Sequence, residues 1–356
     1  MRKEDPRYLR GARSFVQGRF ESVAREAFDD GWTPEEPDTR QLKTSVTLER
    51  ARSIISRNDS PDVPFEQSIN PYRGCEHGCV YCYARPSHAY LELSPGLDFE
   101  TKLFAKTNAA ELLREELAKP NYKPSPIALG ANTDCYQPIE RKYRITRQIL
   151  EVLAECEHPV TIVTKSALVE RDLDLLKDLA SRNLVKVFVS IGTLDRELAR
   201  KLEPRAASPQ RRLDVLKKLS ENKIPCGVMV AALIPALNDK TLEQVLEAAA
   251  AAGASEAAYV ILRLPNELKT VFKEWLAEHY PQRAEHVMSI VRQMRGGREN
   301  DPRFGERMSG TGNCAELIEK RFEIACRRFG VNRRETPDLD CSRFRPPSPG
   351  GQLELL

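Results

Sequence analysis

Gly74-Cys75-Glu76-His77-Gly78-Cys79-Val80-Tyr81-Cys82-Tyr83, residues 74–83, is the stretch on which the reading of this chain turns. Its cysteines are spaced C-x3-C-x2-C. Three thiolates in one loop can hold three corners of a [4Fe–4S] cube and leave the fourth iron without a cysteine. Electron carriers use four cysteines and have no such vacancy. An open iron can bind a small molecule. Zinc is the competing metal. Structural zinc sites usually pair a first C-x2–4-C with a second pair further along. No second C-x-x-C and no H-x3–5-H occurs here, although His77 and His88 lie close in sequence.

Around this loop an apolar rhythm sets in from about residue 66. Short runs at 126–130, 159–164, 185–191, 226–234 and 257–264 are β-branched and bounded by Gly, Pro or Thr. Such continuous apolarity suits strands covered on both faces, as in parallel sheets. Helix-period segments alternate with them at 109–118, 146–156, 171–182, 208–221 and 241–252. Asn108 and Thr146 read as their N-terminal signals, and Asn238-Asp239 as another helix start. The repeat is roughly 30 residues, the size of one βαβ unit. With an opening strand near 67–72 the chain has six β/α units. The fold class is therefore α/β, and six units suit a partial (β/α)6 barrel better than a closed eight-fold one. A doubly wound open sheet competes, and periodicity alone does not separate the two.

The expected division is an N-terminal extension (1–65), a core (66–265) and a C-terminal helical region with an irregular tail (266–356). The extension holds one amphipathic piece, around Phe15 to Phe28. Helices are expected at 268–279, 283–295 and 314–328. The tail, with Arg345-Pro346-Pro347 and Gly350-Gly351, should lie across the domain or be disordered. Trp32 and Trp275 read as packing residues.

The chain has 356 residues, 41% of them hydrophobic, enough for a full core. A net charge of +3 from 55 basic and 52 acidic residues makes no electrostatic case for a nucleic-acid protein. No apolar run reaches membrane-spanning length, and the first residues lack an apolar leader, so a cytoplasmic location is expected. Nine cysteines at irregular spacing argue against a disulfide framework. The six outside the loop (Cys135, Cys156, Cys226, Cys314, Cys326 and Cys341) read as small buried hydrophobes.

Six further segments accompany the cysteine loop: the wider 70–90, then 133–140 (TDCYQPIE), 163–166 (VTKS), 189–195 (VSIGTLD), 202–206 (LEPRA) and 233–239 (LIPALND). With an aromatic before the third cysteine, the whole resembles the radical SAM superfamily over roughly 66–265. Within it the chain is similar to the spore photoproduct lyase-like group, often labelled "DNA repair photolyase", and to a bacterial branch of that group. The resemblance implies a [4Fe–4S] cluster and S-adenosylmethionine (SAM) as cofactors. It also implies a reductant such as flavodoxin or ferredoxin. Reductive cleavage of SAM then yields methionine and a 5′-deoxyadenosyl radical that takes hydrogen from a substrate C–H bond.

The resemblance assigns roles by position. Cys75, Cys79 and Cys82 match the cluster ligands. Tyr81 matches the aromatic beside the adenine. Thr133 and Asp134, at the end of the second strand, fall where polar groups meet the SAM amino group. Lys165 and Ser190 match SAM-contacting positions after the third and fourth strands. Arg205 and Arg212 are weaker candidates for the SAM carboxylate, and the backbone near Ala231 and Ala232 is a candidate for the adenine. Each position also has an ordinary use, as a turn, a solvated end or a surface ion pair worth little. His77, Arg85 and His88 read either as donors to cluster sulfurs or as packing on the loop.

The match breaks at one place. The lyases return hydrogen through a cysteine at the end of the second strand, assisted by two tyrosines flanking the third cluster cysteine. Tyr81 and Tyr83 fill the tyrosine positions, whereas Ala131 stands at the cysteine position, with Cys135 four residues on. Repair of spore photoproduct is not expected. The resemblance favours a nucleic-acid substrate; a peptide, an RNA base or a small metabolite stays open. The alternative is an iron–sulfur or zinc protein that binds nucleic acid or senses redox state without SAM turnover, with Arg2, Lys3, Arg7, Arg10 and Arg13 as a phosphate-contacting arm.

Overall fold

The computed structural model describes residues 10–21, 42–333 and 338–347. Its strands are β1 (Ser45–Glu49), β2 (Ile55–Arg57), β3 (Gln67–Ile69), β4 (Tyr72–Arg73), β5 (Lys102–Lys106), β6 (Ile127–Leu129), β7 (Val160–Thr164), β8 (Val185–Ser190), β9 (Cys226–Leu233) and β10 (Glu256–Ile261). Strands β3, β6, β7, β8, β9 and β10 lie side by side in chain order, all parallel. The buried residues of β7 and β8 are mainly Val and Ile, and those of β6, β9 and β10 add Leu, Ala and Cys, as suits strands covered on both faces. The sheet is open: β10 forms one edge, and β2 covers the other by pairing antiparallel with β3. This is a partial barrel of six β/α units, not a closed one.

Helices Ala109–Leu117, Ile145–Glu155, Leu173–Ser181, Pro209–Glu221 and Leu242–Ala251 return the chain between successive strands, and Leu268–His279 follows β10. The buried Leu, Ile and Val stripes of the first five join the strands in one core, and Leu268–His279 packs in a second cluster with Cys79, Val80 and Tyr81. Helices Ala284–Gln293 and Asn313–Phe329 complete the C-terminal region. Among the described residues no helix is long and apolar enough to cross a membrane.

Several local expectations are corrected. The run 67–72 divides into two strands in different sheets. Pro71 has no N–H for the ladder, and its carbonyl accepts from Lys106 N at 3.1 Å, turning β4 onto β5. The N-terminal extension contributes two strands, and β1 pairs parallel with β5 in a small three-stranded sheet. Residues 15–21 of the expected amphipathic piece are not helical, and its remainder lies outside the described residues. Asn108 does not cap its helix; its side chain accepts from Ala51 N (2.9 Å) and donates to Ala51 O (3.0 Å). The Thr146 hydroxyl donates to the Cys135 carbonyl rather than capping. Trp275 is fully buried and donates to Lys201 O at 2.9 Å, whereas Trp32 lies outside the described residues. Residues 338–347 of the tail lie across the domain, with Asp340 N on Asn183 O (3.0 Å) and Arg345 N on Cys156 O (2.9 Å).

Two buried imidazoles give the fold an acid limit. His158 donates from Nδ1 to Pro159 O at 2.9 Å, which leaves Nε2 to accept from the Tyr122 hydroxyl at 2.7 Å. His88 donates to Lys102 O at 2.9 Å. Burial holds both down at about 4, against 6.5 in the unfolded chain. Between those pH values the unfolded chain binds more protons, so stability falls as pH drops through the window, by up to about 3 kcal/mol for each imidazole. Melting followed by circular dichroism should give a clearly lower temperature near pH 4.5 than near pH 7, with a smaller difference in His158→Gln. Equal wild-type melting at both pH values would contradict the neutral state.

Candidate active site

Because the six strands are parallel, their C-terminal ends share one rim. The loops after β3, β6, β7, β8 and β9 carry all of the quoted segments except 202–206, which follows a short helix (Arg196–Leu202) after β8. The cysteine loop opens at Gly74, whose φ of +74° suits glycine, and a Cβ there would meet Phe99 O at 2.8 Å and Leu103 Cδ2 at 2.6 Å. Cys75 N donates to Phe99 O (3.0 Å), and Cys82 N turns back to Cys79 O (3.3 Å). Cys75 and Cys79 are buried and Cys82 is half-buried. Burial pushes the thiols of Cys79 and Cys82 up. The neighbouring loop cysteines add to this, and Lys165 opposes it. Among the described residues no three His, Cys, Asp or Glu side chains group closely enough to hold a single ion. A zinc site brings its ligands to about 2.0–2.3 Å of one point; a cube takes one thiolate per corner.

Asp134 is the hub beneath the loop. Its carboxylate accepts from Thr164 Oγ1 (2.7 Å), Lys165 N (2.8 Å) and Tyr136 N (2.9 Å), and lies 3.2 Å from His77 Nδ1. Burial by itself would raise this carboxyl, but the His77 charge and these donors hold it at about 2. His77 is the converse: burial would lower it, and Asp134 with Cys75 raises it to about 10. Thr133 donates to Gly74 O (2.6 Å). Gln137 donates to Gly74 O (3.1 Å) and to Thr133 Oγ1 (3.0 Å), and accepts from Glu76 N (3.0 Å). The end of β6 is thus bonded to the start of the cysteine loop.

A second group gathers on the far side of the loop. The Tyr81 hydroxyl donates to Glu203 and lies 3.4 Å from Ala231 O, which also accepts from Ser190 Oγ at 3.2 Å. Lys165 Nζ stands 5.7 Å from the centre of the Tyr81 ring. Tyr81, Gly192, Thr193, Glu203, Ala232 and Asn238 line a small cleft. Arg212 is buried rather than part of a surface pair: it donates to Ala207 O, Ser190 O and Glu203. Arg205 Nη2 donates to Glu76 (3.0 Å), whereas its Nε is buried without a partner.

Other expected residues fall elsewhere. Tyr83 is 48% exposed; its hydroxyl donates to Ala131 O, and Arg263 lies 5.5 Å over its ring. Cys135 is fully buried in the sheet core, next to Asp134 in the chain. Arg85 Nε donates to the Cys79 carbonyl (2.8 Å), not to a sulfur, and His88 packs edge-on against Phe99. Of the basic arm, Arg10 is buried against Leu42 O, Thr44 and Glu100 O, and Arg13 pairs with Glu278 at 2.7 Å; Arg2, Lys3 and Arg7 lie outside the described residues. Gln137 and Glu203 carry site bonds with no role expected from the sequence, and Asn238, expected only as a helix start, bonds Ile234 N, Gly192 O and Ala232 O. All three stand inside the quoted segments, which is the only signal they left.

An open barrel of six parallel strands, with three cysteines in the loop after its first strand, defines the class. The family model described as the radical SAM superfamily matches residues 69–249. The chain belongs to the radical SAM superfamily of enzymes. It is 39% identical over 232 residues to an uncharacterized protein of Mycobacterium tuberculosis, covering 65% of this chain and 68% of that one. It is 30% identical over 197 residues to an uncharacterized protein of Methanocaldococcus jannaschii, covering 55% and 71%. Among solved structures, spore photoproduct lyase superposes with a TM-score of 0.60 at 16% identity, over 84% of this chain and 85% of that one. A variant of that lyase with bound AdoMet and dinucleoside spore photoproduct gives the same TM-score at 17% identity.

Proposed function

We propose that Cys75, Cys79 and Cys82 ligate a [4Fe–4S] cluster whose open iron takes SAM. The observation that carries this reading is the position of the three-cysteine loop on the rim where the parallel strands end. When bound, the pair supplies reductive cleavage of the SAM C5′–S bond, with methionine and a 5′-deoxyadenosyl radical as products. The chain's own residues bind, orient and shield. Tyr81 and the backbone at Ala232 line the small cleft that we assign to the adenine. Thr133 and Asp134 supply polar groups for the amino acid end, and Lys165 and Ser190 supply further contacts to SAM. The orphaned Nε of Arg205 suits the SAM carboxylate. Arg212 is fully engaged within the protein and is set aside. Tyr83, exposed beside Ala131, is placed to meet a substrate.

The substrate class we favour is a nucleic acid, by likeness to the lyase. Cys135 is sealed in the core, so hydrogen return through a thiol at that position is not part of this reading, nor is repair of spore photoproduct. A small reductant protein such as flavodoxin or ferredoxin and a cytoplasmic setting complete the proposal. The SAM-independent nucleic-acid reading loses its motive at Arg10 and Arg13, whose guanidinium groups are tied within the protein.

The test is anaerobic reconstitution with iron and sulfide, then reduction in the presence of SAM. The expected products are methionine and 5′-deoxyadenosine in equal amounts. Stoichiometric zinc without iron or sulfide in oxygen-free material would refute the reading. Arg205→Ala should weaken SAM binding about tenfold or more, the loss of one charge-assisted hydrogen bond. Equilibrium dialysis checks this with iron content unchanged; unaltered binding removes Arg205 from the site.

A further inference from the structure

The N-terminal segment reaches the cysteine loop from more than sixty residues away in sequence. A Cβ on Gly11 would sit 1.7 Å from Gly78 O, so the backbone of this segment lies directly on the middle of the loop. Ala12 is buried and packs in one cluster with Cys79, Val80 and Tyr81. The segment is fastened by Glu100, which is fully buried. Glu100 Oε2 accepts from Gly11 N (2.9 Å), and Oε1 accepts from Ala12 N (2.8 Å) and from Arg85 Nη2 (2.5 Å). Arg85, also fully buried, holds the carbonyl of Cys79 by its Nε. Arg10 adds a bond to the Glu100 carbonyl at 3.0 Å. Beyond it, Ser14 O accepts from Leu97 N (3.1 Å) and Ser14 Oγ donates to Glu274 (2.7 Å).

We propose that residues 10–14 are a strap that closes the cysteine loop from solvent, with Glu100 as the positioning residue that holds strap and loop together. This rests on the cluster reading above. One carboxylate faces the strap's amides with two lone pairs and, through Arg85, fixes a ligand's backbone with the rest. An exposed cube is degraded by oxygen, and solvent exposure is one of the protein's controls on its potential. The strap supplies that cover from outside the β/α core. Glu100 does not touch the reacting groups; it acts through Gly11, Ala12 and Arg85.

The test compares reconstituted full-length wild type with Glu100→Gln and Gly11→Val. The Gln side chain removes the charge facing Arg85, and the Val side chain pushes the strap off Gly78. In Glu100→Gln the visible absorbance of the cluster should bleach in air-saturated buffer about tenfold faster, the factor for opening a strap that has lost one charge-assisted bond, and in Gly11→Val, where the clash displaces the strap, at least as fast. Trypsin should cut after Arg10 or Arg13 faster by a similar factor, at temperatures well below melting. In Glu100→Gln the reduction potential should also rise, because Arg85 then stands uncompensated beside Cys79; a role in folding alone would not move it. Faster trypsin cutting with unchanged bleaching would overturn the strap. Unchanged cutting and potential in Glu100→Gln would overturn the role of Glu100. Wild type that takes up no iron would instead sink the cluster reading, a failure visible without either variant.

Discussion

Cys79→Ala is expected to purify folded and to bind no cluster. The substitution removes one buried sulfur from a large apolar cluster, a loss of the order of 1 kcal/mol, so the circular dichroism of the variant should match wild type. Two thiolates cannot retain a cube that three hold, so iron and sulfide should fall from about four of each per chain to near zero, and SAM cleavage with them. Cys135→Ala is the control. That thiol is sealed in the sheet core, and its loss should leave iron content unchanged. Retained cleavage in Cys79→Ala would refute the ligand assignment, whatever the fold.

Asp134→Ala should be the most destabilising single change at the site. The carboxylate pairs with His77 and accepts from Thr164, Lys165 N and Tyr136 N, and removing it leaves a buried imidazolium alone. Breaking a buried pair in this manner costs about 3–5 kcal/mol, a melting decrease on the order of 10 °C for a chain of this size. The pH dependence has a definite sign. His77 goes from 6.5 unfolded to about 10 folded, so its contribution is complete below 6.5 and is lost as pH rises through 10. Asp134 goes from 3.8 to about 2, so its contribution is present above 3.8 and is lost as pH falls through 2. The gap between wild type and Asp134→Ala, measured by melting of cluster-free protein, should be widest near pH 4–6.5 and narrow towards pH 10. A gap that widens with rising pH would contradict the pairing.

Reading the fold from sequence succeeded where burial on both faces leaves an unbroken apolar run. Strands β7, β8 and β9 fall within a residue of their expected limits, and helix Leu268–His279 matches its expected span. It failed where pairing, not burial, makes the strand. β1 (Ser45–Glu49) and β2 (Ile55–Arg57) are half-polar edge strands of five and three residues, and nothing in their composition marks a partner. The three cysteines were legible because metal chemistry restricts both residue type and spacing. Glu100, Glu203 and Asn238 were not, since a buried acid or amide looks like a surface one until its donors are seen. Asn108 shows the same blindness in reverse: a good capping residue was taken by a more distant backbone.

Electron paramagnetic resonance of the reduced, oxygen-free protein, recorded with and without SAM, tests the central claim most directly. The expected result is a [4Fe–4S]+ signal that changes when SAM is added, as an iron with a free coordination position requires. A cluster signal indifferent to SAM, or one from a cube with a cysteine on every iron, would contradict it.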